Sequence, residues 1–399
     1  MNPNVSEHIK VLSQSATLAM AQKIGEFKAK GIDIINFSVG EPDFNTPEHI
    51  KKAAEKAIND NWTKYTPVPG LLSLREAICG KLQRENGLTY SPQEILVSNG
   101  AKQSVCNAIL ALVSPGDEVI IPAPYYVSYP QMVNLAGGKS VFVNASIETG
   151  FRITPEQLEN SITSKTKLVL LCTPNNPTGV VYSYKELEAM AEVILRHQNV
   201  YVISDEIYEH LNYVGAHASI ASVPGMRERT VVVNGVSKAY AMTGWRIGFI
   251  AAPKWIVDAC NVLQGQYTGN ASSVSQKAAE EAWNGEQDSV EEMRQVFQKR
   301  RDLMVSLVRD IPGFEVYEPE GAFYVFPKCD FYFGKSYKGK VITSSSDLAM
   351  FLLEEGHVAV VTGDAFGATG YIRLSYATSE DLIEEGVRRM RDVLVYLDR

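Results

Sequence analysis

Seven short apolar runs, each ending in a turn, recur between residues 94 and 253 of the chain. The runs are EILVSNG (94–100), DEVIIPAP (117–124), KSVFVNA (139–145), KLVLLCTP (167–174), VYVISDE (200–206), RTVVVNG (229–235) and RIGFIAAP (246–253). Segments of helical period lie between several of them, such as KQSVCNAILALV after Gly100 and YKELEAMAEVILRH from Tyr184. Apolar strands that alternate with helices are typical of a parallel sheet covered on both faces. The pattern predicts an α/β fold with a mostly parallel, seven-stranded sheet.

The last two runs, 229–235 and 246–253, lie too close together for a helical crossover between parallel strands. We therefore expect one of these two strands to run antiparallel to its neighbour.

The sequence pattern changes after about residue 285. A long charged helix, SVEEMRQVFQKRRDLMVSLVRD, is followed by the strand-like GAFYVFP, HVAVVTG and YIRLSYA, and by a final helix from Ser379. A chain of 399 residues is long enough for two domains. We predict a large domain over residues 46–285 and a smaller α+β domain made of residues 1–45 together with 286–399.

Composition and missing motifs exclude several classes of protein. A net charge of −8 without a basic run argues against a nucleic-acid binder. The five cysteines are scattered without a CxxC pair, so neither a disulfide framework nor a metal site is expected. No secretion signal and no apolar stretch of roughly 18 residues is evident, which favours a cytoplasmic protein. No phosphate-loop, GxGxxG, HExxH or GxSxG motif occurs.

Chemically distinctive side chains follow the predicted strands, where open α/β sheets bind their ligands. They are Asn99-Gly100-Ala101-Lys102 at a helix start, Tyr125 and Tyr126, Asn175 and Asn176 in TPNNPTG, Asp205 and Tyr208, Ser237 and Lys238, and Arg246. Each residue alone has an ordinary structural explanation. Together they offer a phosphate cradle, an aromatic plate, a buried carboxylate, a phenol and an amine, and pyridoxal 5′-phosphate (PLP) is a ligand that uses all of these.

The chemistry of PLP explains why each residue type is wanted. A partly desolvated lysine near other cations keeps enough neutral amine to hold the aldehyde as a Schiff base. A buried aspartate keeps the pyridine nitrogen protonated. The phosphate favours the planar fork of an arginine, which Arg246 supplies.

With these residues in view, the chain resembles the class I PLP-dependent aminotransferases of fold type I, and among them the bacterial aspartate aminotransferases of subgroup Ib. The likeness runs over almost the whole chain through SATLAM (15–20), VGEPDF (39–44), KYTPVPG (64–70), NGAKQS, PYYVSYP, TPNNPTG, SDEIYEHL, SKAYAMTGWRIGF, GAFYVFP and RLSYATS (373–379). TPNNPTG together with SKxxxMTGWRIG is highly specific for this family.

The resemblance implies a role for each matching residue. Lys238 would bind the cofactor and move the proton between the substrate Cα and the cofactor. Asp205 would pair with the pyridine nitrogen and Tyr126 would stack on the ring, while Asn176 and Tyr208 hold the 3′-oxygen. The phosphate would lie among Gly100, Ala101, Lys102, Ser237 and Arg246, and Tyr65 would reach it from the partner subunit of a homodimer. Arg373 would clamp the substrate carboxylate with help from the Gly40 backbone, beside Tyr126 and Asn176.

Substrate choice is a further implication. The predicted reaction is transamination between L-aspartate and 2-oxoglutarate, with Lys102 reading the distal carboxylate near Ser15 and Thr17. The other interpretation of Lys102 is a solvated lysine in the first turn of a helix. Relatives that accept prephenate carry a basic residue where Ser13 stands, so prephenate activity is not expected.

Other functions remain open at this point. The same cofactor could serve an aromatic or alanine aminotransferase, or a PLP-dependent lyase. A regulatory protein that merely binds PLP would carry a DNA-binding module, for which the chain has no room before about residue 15.

Overall fold

The computed structural model describes residues 4–13 and 16–397. The α-helices of this part of the chain are α1 (Glu7–Lys10), α2 (Ala16–Ala29), α3 (Glu48–Asn59), α4 (Leu72–Asn86), α5 (Ala101–Leu112), α6 (Tyr129–Leu135), α7 (Pro155–Ser161), α8 (Tyr184–Leu195), α9 (Lys254–Tyr267), α10 (Ser273–Asn284), α11 (Asp288–Arg309), α12 (Ser345–Glu354) and α13 (Glu380–Leu394). The β-strands are β1 (Ile35–Asn36), β2 (Ile95–Ser98), β3 (Glu118–Ala123), β4 (Lys139–Asn144), β5 (Thr166–Cys172), β6 (Tyr201–Asp205), β7 (Thr230–Gly235), β8 (Gly248–Ala251), β9 (Tyr324–Val325), β10 (Ser336–Tyr337), β11 (Lys340–Val341), β12 (Val358–Ala359), β13 (Val361–Thr362) and β14 (Ile372–Ser375).

The central sheet confirms the predicted α/β fold. Seven strands, one from each apolar run, pair in the order β2-β8-β7-β6-β5-β3-β4. Neighbours from β7 to β4 are parallel, whereas β8 is antiparallel to both β7 and β2. The antiparallel strand expected near the end of the series is therefore β8. Its first residue lies at the edge where the other strands end.

Side chains of successive sheet residues enter opposite layers of the core. Val119 and Ile121 of β3 join a cluster with Val105 and Ile109 of α5. Ile120, between them, joins a second cluster with Leu187 and Met190 of α8. Residues of both layers are almost fully buried. This two-sided burial is why the runs are continuously apolar and do not alternate with polar residues.

The helices begin where the sequence supplies caps. Ser183 accepts a hydrogen bond from the Glu186 N–H at the start of α8, and the Glu186 carboxylate accepts from the Ser183 N–H. Thr154 and Gln157 form the same reciprocal pair at α7. Such capping boxes satisfy amides that a helix start leaves free.

The carboxyl-terminal third has its own small sheets. Strands β13, β14 and β9 form an antiparallel sheet, and β12 pairs in parallel with β1 from the amino-terminal segment. Ile35 and Phe37 belong to one hydrophobic cluster with residues of α11, α12 and α13. The amino-terminal segment thus packs with the carboxyl-terminal elements, although Ile207, Tyr208 and Leu211 of the central region also enter that cluster.

Among residues 4–13 and 16–397, no helix combines the length and the apolar composition that crossing a bilayer requires.

Candidate active site

A cavity of about 450 Å³ opens at the carboxyl edge of the central sheet. Its walls come from the segments that follow β3, β5, β6 and β7, from the start of α5, and from residues 36–41. Since β8 is antiparallel, the residues just before it reach the same edge, which brings Arg246 into the wall. Parallel α/β sheets bind their ligands at this edge.

Lys238 lies in this cavity three residues after β7. Its ammonium group donates a hydrogen bond to the Gly40 carbonyl and lies 5.6 Å from the centre of the Tyr208 ring. Burial lowers the pKa of the Lys238 amine to about 8, and the guanidinium groups of Arg373 and Arg246 act in the same direction. A lysine with such a pKa keeps a sizeable neutral fraction near physiological pH.

Asp205, the last residue of β6, is buried in the same cavity. Its carboxylate accepts a hydrogen bond of 2.7 Å from the Tyr129 hydroxyl and a longer one of 3.4 Å from the Ile207 N–H. Burial raises the pKa of the Asp205 carboxyl to about 6, although both hydrogen bonds oppose this rise. An amine and a carboxyl with pKa values displaced toward neutrality in one cavity are typical of a catalytic site.

The two asparagines of TPNNPTG have different positions. The side-chain oxygen Oδ1 of Asn175 accepts hydrogen bonds from the N–H and the hydroxyl of Thr178, at 3.1 and 2.9 Å. The Asn175 side chain therefore stabilises the loop itself. Asn176 is buried and lines the cavity, where its oxygen accepts from Arg373. Tyr208 lines the cavity as well, with its hydroxyl 2.8 Å from that of Tyr324.

Arg373, on β14, forms a cationic wall of the cavity and is 2% exposed. Its guanidinium donates to the Asn176 side chain at 3.0 Å and to the Ser38 carbonyl at 2.8 Å, and packs on the Tyr324 ring. Its Nε has no hydrogen-bond partner, and no carboxylate of the described ranges forms an ion pair with it. A buried guanidinium held only by neutral oxygens is prepared to bind an anion.

A second cationic wall combines Arg246 with the amino terminus of α5. Arg246 donates to the carbonyls of Thr243 and Asn99, at 2.9 and 3.2 Å, and adopts the left-handed conformation with φ of 58°. Gly100, at φ 84°, precedes the helix without a side-chain cap. A Cβ on Gly100 would lie 2.3 Å from Nη2 of Arg246, so glycine is what allows the arginine to reach this helix start.

The remaining predicted residues fall into three groups. Gly40, Ala101, Lys102, Tyr126 and Ser237 line the cavity with those described above. Lys102 is exposed at its rim, with Nζ 5.7 Å from the centre of the Tyr126 ring. Tyr65, by contrast, is 99% exposed and does not line the cavity of its own chain. Ser15 and the side chain of Thr17 lie outside the described part of the chain, and the Ser13 N–H donates to Gln131.

Sequence reasoning missed several cavity residues that the fold brings together. Tyr129 donates to Asp205, Tyr324 contacts both Tyr208 and Arg373, and the Ser38 carbonyl accepts from Arg373. Cys172, at the end of β5, also lines the cavity. Tyr129 and Tyr324 stand within the quoted stretches PYYVSYP and GAFYVFP. The only available signal was thus their place in these stretches.

Comparison with known proteins agrees with this arrangement. Residues 32–390 match the model of the family described as aminotransferase class I and II. The chain is 50% identical to a probable aspartate/prephenate aminotransferase of Rickettsia bellii, over 97% of this chain and 98% of that protein. It is 47% identical to an aspartate/prephenate aminotransferase of Cereibacter sphaeroides, over 97% and 98% of the two chains.

Solved structures give the same result. The aspartate aminotransferase of Rhizobium meliloti superposes with a TM-score of 0.96 at 44% identity, covering 99% of this chain and 100% of that one. The aspartate aminotransferase of Thermus thermophilus, solved with maleate, gives a TM-score of 0.92 at 41% identity over 98% and 99% of the two chains. A match of this extent, on a fold with a lysine, an aspartate and two arginines around one cavity, leads to a plain conclusion: the chain belongs to the class I and II aminotransferases.

Proposed function

We propose that this aminotransferase binds PLP in the cavity beside Lys238 and exchanges the amino group of L-aspartate with 2-oxoglutarate. The observation that carries the proposal is the presence of both Lys238 and Asp205 in the wall of the same cavity. These are a half-buried amine and a buried carboxyl that line one cavity, with pKa values displaced to about 8 and about 6. PLP chemistry needs an amine that is partly neutral and a carboxylate that faces a cationic ring nitrogen.

The charges around the cavity support the presence of PLP. Arg246 and Arg373 are held by neutral oxygens, and the Nε of Arg373 has no partner within residues 4–13 and 16–397. The cavity therefore offers two sites for anions, one at each arginine, and one site for a cation, at the acidic side chain of Asp205. A phosphate, a pyridine nitrogen and a substrate carboxylate match these three sites in charge.

The proposed phosphate site is the wall around Arg246. The guanidinium of Arg246 would bind phosphate oxygens as a fork, and the amides at the start of α5 would donate to them. Ser237 would add a hydroxyl donor, with Gly100, Ala101 and Lys102 forming the turn around the phosphate. Because these groups belong to the central sheet and its helix, they would orient the cofactor rigidly.

The proposed ring site lies between Tyr126 and the end of β6. Asp205 would hold a proton on the ring nitrogen, and Tyr126 would cover one face of the ring. Asn176 and Tyr208 would donate to the 3′-oxygen. When bound, PLP supplies an aldehyde that takes up the amino group and a ring that accepts the electron pair released at the substrate Cα.

Lys238 would be the group that holds the aldehyde and then moves the proton. Once the substrate amine replaces it, the freed Lys238 amine would take the proton from Cα and return it to the cofactor carbon. Its lowered pKa suits this exchange, since an efficient general base has a pKa near the working pH.

The proposed substrate site faces Arg373. Its guanidinium would bind the α-carboxylate, with the Gly40 backbone, Tyr126 and Asn176 close by, and Lys102 at the cavity rim would read the distal carboxylate. The names of the relatives support an acidic substrate, and the Thermus thermophilus structure with maleate, a dicarboxylate, supports it further.

We further propose a homodimer in which Tyr65 reaches the phosphate of the partner subunit. Its side chain is almost fully exposed on the single chain, which supports a role outside its own cavity. We also infer that residues 46–285 form the large domain and that 1–45 with 286–399 form a smaller one that closes over the substrate. The five free cysteines fit a reducing compartment such as the cytosol.

The proposal is tested by mixing the PLP-loaded protein with L-aspartate alone. The expected result is conversion of the aldehyde absorbance to that of the amine form, with one equivalent of oxaloacetate and no ammonia. Release of ammonia with retention of the aldehyde form would identify a lyase. A wild-type protein that binds no PLP would refute the proposal.

The substrate is tested by a panel of amino donors with 2-oxoglutarate. Aspartate should give the highest kcat/KM, and Lys102→Ala should reduce kcat/KM for aspartate about tenfold or more while changing that for alanine little. Equal losses for both donors would exclude Lys102 from the distal carboxylate site. Prephenate should also be tested as the amino acceptor in place of 2-oxoglutarate, because relatives are named for it. Ser13, which stands where relatives that accept prephenate carry a basic residue, predicts no turnover of prephenate.

A further inference from the structure

Segment 204–211, which begins with the last two residues of β6, has one side toward the cavity and one side away from it. Asp205 and Tyr208 line the cavity. Glu206 and Glu209 do not, yet they are only 1% and 5% exposed. A tight turn, in which the Glu209 N–H donates to the Glu206 carbonyl at 3.0 Å, produces this alternation. Two carboxylates are therefore buried behind the residues that face the cavity.

Glu209 is held by two side chains of α4. The Lys81 ammonium donates to one carboxylate oxygen, and the Asn86 amide donates to the other at 2.8 Å. Lys81 also donates to the Asn86 oxygen at 2.8 Å, which closes the network. Lys81 is 1% exposed. Burial opposes ionisation of Glu209, but Lys81 and the nearby histidines hold its pKa well below the usual range.

Further charged groups complete this network. The His210 Nε2 lies 2.9 Å from the Glu85 carboxylate, which is itself 3.5 Å from the Lys81 ammonium. Glu206 accepts from the hydroxyls of Ser204 and Ser219 and pairs with Nε2 of His217 at 3.0 Å. On the side of the segment away from the cavity, the carboxylates of Glu206 and Glu209 are thus held by hydrogen bonds and ion pairs with neighbouring side chains. No residue of α4 lines the cavity.

The opposite side of the segment leads to the carboxyl-terminal elements. The Ala322 N–H donates to the Leu211 carbonyl at 2.8 Å. Tyr324, two residues further, bonds the Tyr208 hydroxyl. The position of Tyr208 therefore depends on Tyr324 in front and on Glu209 behind.

We propose that the buried Lys81–Glu209 ion pair, with Asn86, positions Asp205 and Tyr208 in the cavity from behind. Buried ion pairs stabilise a fold little compared with apolar residues of equal size, so the contribution of this pair would lie in the geometry that its directional hydrogen bonds impose. Here that geometry belongs to Asp205 and Tyr208, two of the side chains that would contact the ring of PLP. The inference therefore rests on the proposed function, and Lys81, Glu209 and Asn86 are positioning residues that touch neither cofactor nor substrate.

The test uses Lys81→Met, Glu209→Gln and Asn86→Ala in the full-length protein. Each should weaken PLP binding about tenfold, the scale seen when a residue behind a ligand-binding group is removed. Each should also raise the pH midpoint of the bound cofactor's absorbance change, because a displaced Tyr208 no longer stabilises the anionic 3′-oxygen. Lys81→Arg, which keeps the charge, should restore most of both properties.

Leu158→Ala is the control for a purely structural effect. Leu158 is fully buried on α7 and does not line the cavity, and its hydrophobic cluster contains no residue of segment 204–211. It should lower the melting temperature while leaving the PLP dissociation constant and the pH midpoint unchanged.

Lys81, Glu209 and Asn86 variants that behave like Leu158→Ala, less stable but with unchanged cofactor properties, would overturn the inference. If Lys81→Met does not fold, Asn86→Ala decides, because it removes a donor to Glu209 without leaving a buried charge unpaired. Failure of the wild-type protein to bind PLP is a separate result, which would refute the proposed function instead.

Discussion

At the scale of single residues, the cavity is defined by groups whose ionisation has been shifted by burial. The pKa of Lys238 is lowered and that of Asp205 is raised, so both lie closer to neutral pH. The main cause is the same for both groups, because burial removes hydration from the charged form. Burial raises the pKa of Asp205 to about 6, and the hydrogen bond from Tyr129 limits this rise. Tyr129 is therefore expected to set the pH range in which Asp205 can attract a cationic ring.

The first prediction concerns this hydrogen bond. In the wild-type protein, PLP affinity should fall as the pH drops through about 6, since Asp205 loses its charge when protonated. Tyr129→Phe removes a donor to the ionised form, so the pKa of Asp205 rises and the fall should occur about one to two pH units higher. The measurement is the PLP dissociation constant by equilibrium dialysis between pH 5 and 8.

Tyr90→Phe is the matched control. The Tyr90 hydroxyl is buried without a hydrogen-bond partner in the described ranges, so its loss should leave the pH profile unchanged. A profile for Tyr129→Phe that coincides with that of the control would show that Tyr129 does not act on Asp205.

At the scale of elements, the site depends on how closely α5 approaches β8. A Cβ on Gly248 would lie 2.2 Å from the Ala101 nitrogen, so only glycine at this position of β8 allows the start of α5 to lie against the strand. The absence of a side chain at Gly100 likewise allows the guanidinium of Arg246 to approach the turn before α5. These two glycines bring a helix start and an arginine together.

The second prediction is that Gly248→Ala damages both stability and the phosphate site. Pushing α5 away from β8 should cost about 1–3 kcal/mol of unfolding free energy, the usual range for overpacking. It should also weaken the binding of PLP more than that of pyridoxal, which lacks the phosphate. Chemical denaturation and the two dissociation constants measure these effects.

Gly25→Ala, at an exposed position in α2 with no atom near the added methyl group, serves as the control. It should raise the unfolding free energy by about 0.5–1 kcal/mol through helix propensity and leave both dissociation constants unchanged. Equal losses of affinity for PLP and pyridoxal in Gly248→Ala would place the damage outside the phosphate site.

Much of the fold could be predicted from the sequence because its signals are local. Runs such as LVLLC are apolar throughout since both faces of β5 are buried, and the short connection before β8 leaves room only for an antiparallel strand. The residues that line the cavity could be proposed because the ends of parallel strands meet at one edge.

Contacts between distant segments could not be predicted in this way. Lys81 meets Glu209, and Tyr129 meets Asp205, across large separations along the chain. Lys81 shares the buried face of α4 with Leu74, Ile78 and Leu82, but this local periodicity does not indicate which distant carboxylate the lysine contacts. The different roles of Asn175 and Asn176 likewise depend on which of the two turns toward the cavity.

At the scale of the whole molecule, the chain supplies each part of the cavity except, in the proposed dimer, Tyr65. Lys238 and Arg373 line one cavity of one chain, whereas Tyr65 is exposed away from it. Mixed dimers, in which each subunit carries a different substitution, can therefore show whether two residues serve the same subunit's cavity or the cavities of different subunits.

The third prediction uses Lys238→Ala and Tyr65→Ala, each of low activity alone. If Tyr65 serves the partner's site, a mixed dimer has one site with both defects and one intact site. Unfolding and refolding an equal mixture should then restore about a quarter of wild-type activity. Mixing Lys238→Ala with Arg373→Ala should restore none, because every site keeps one defect. No recovery in the first mixture would contradict a shared site.

The central claim, that Lys238 holds the cofactor, has one direct measurement. The PLP-loaded protein is reduced with borohydride, digested, and mapped by mass spectrometry. The account predicts a pyridoxyl group on the peptide that contains Lys238, and no such label at that site in Lys238→Ala. A label on another lysine of the wild-type protein, with Lys238 unmodified, would contradict it.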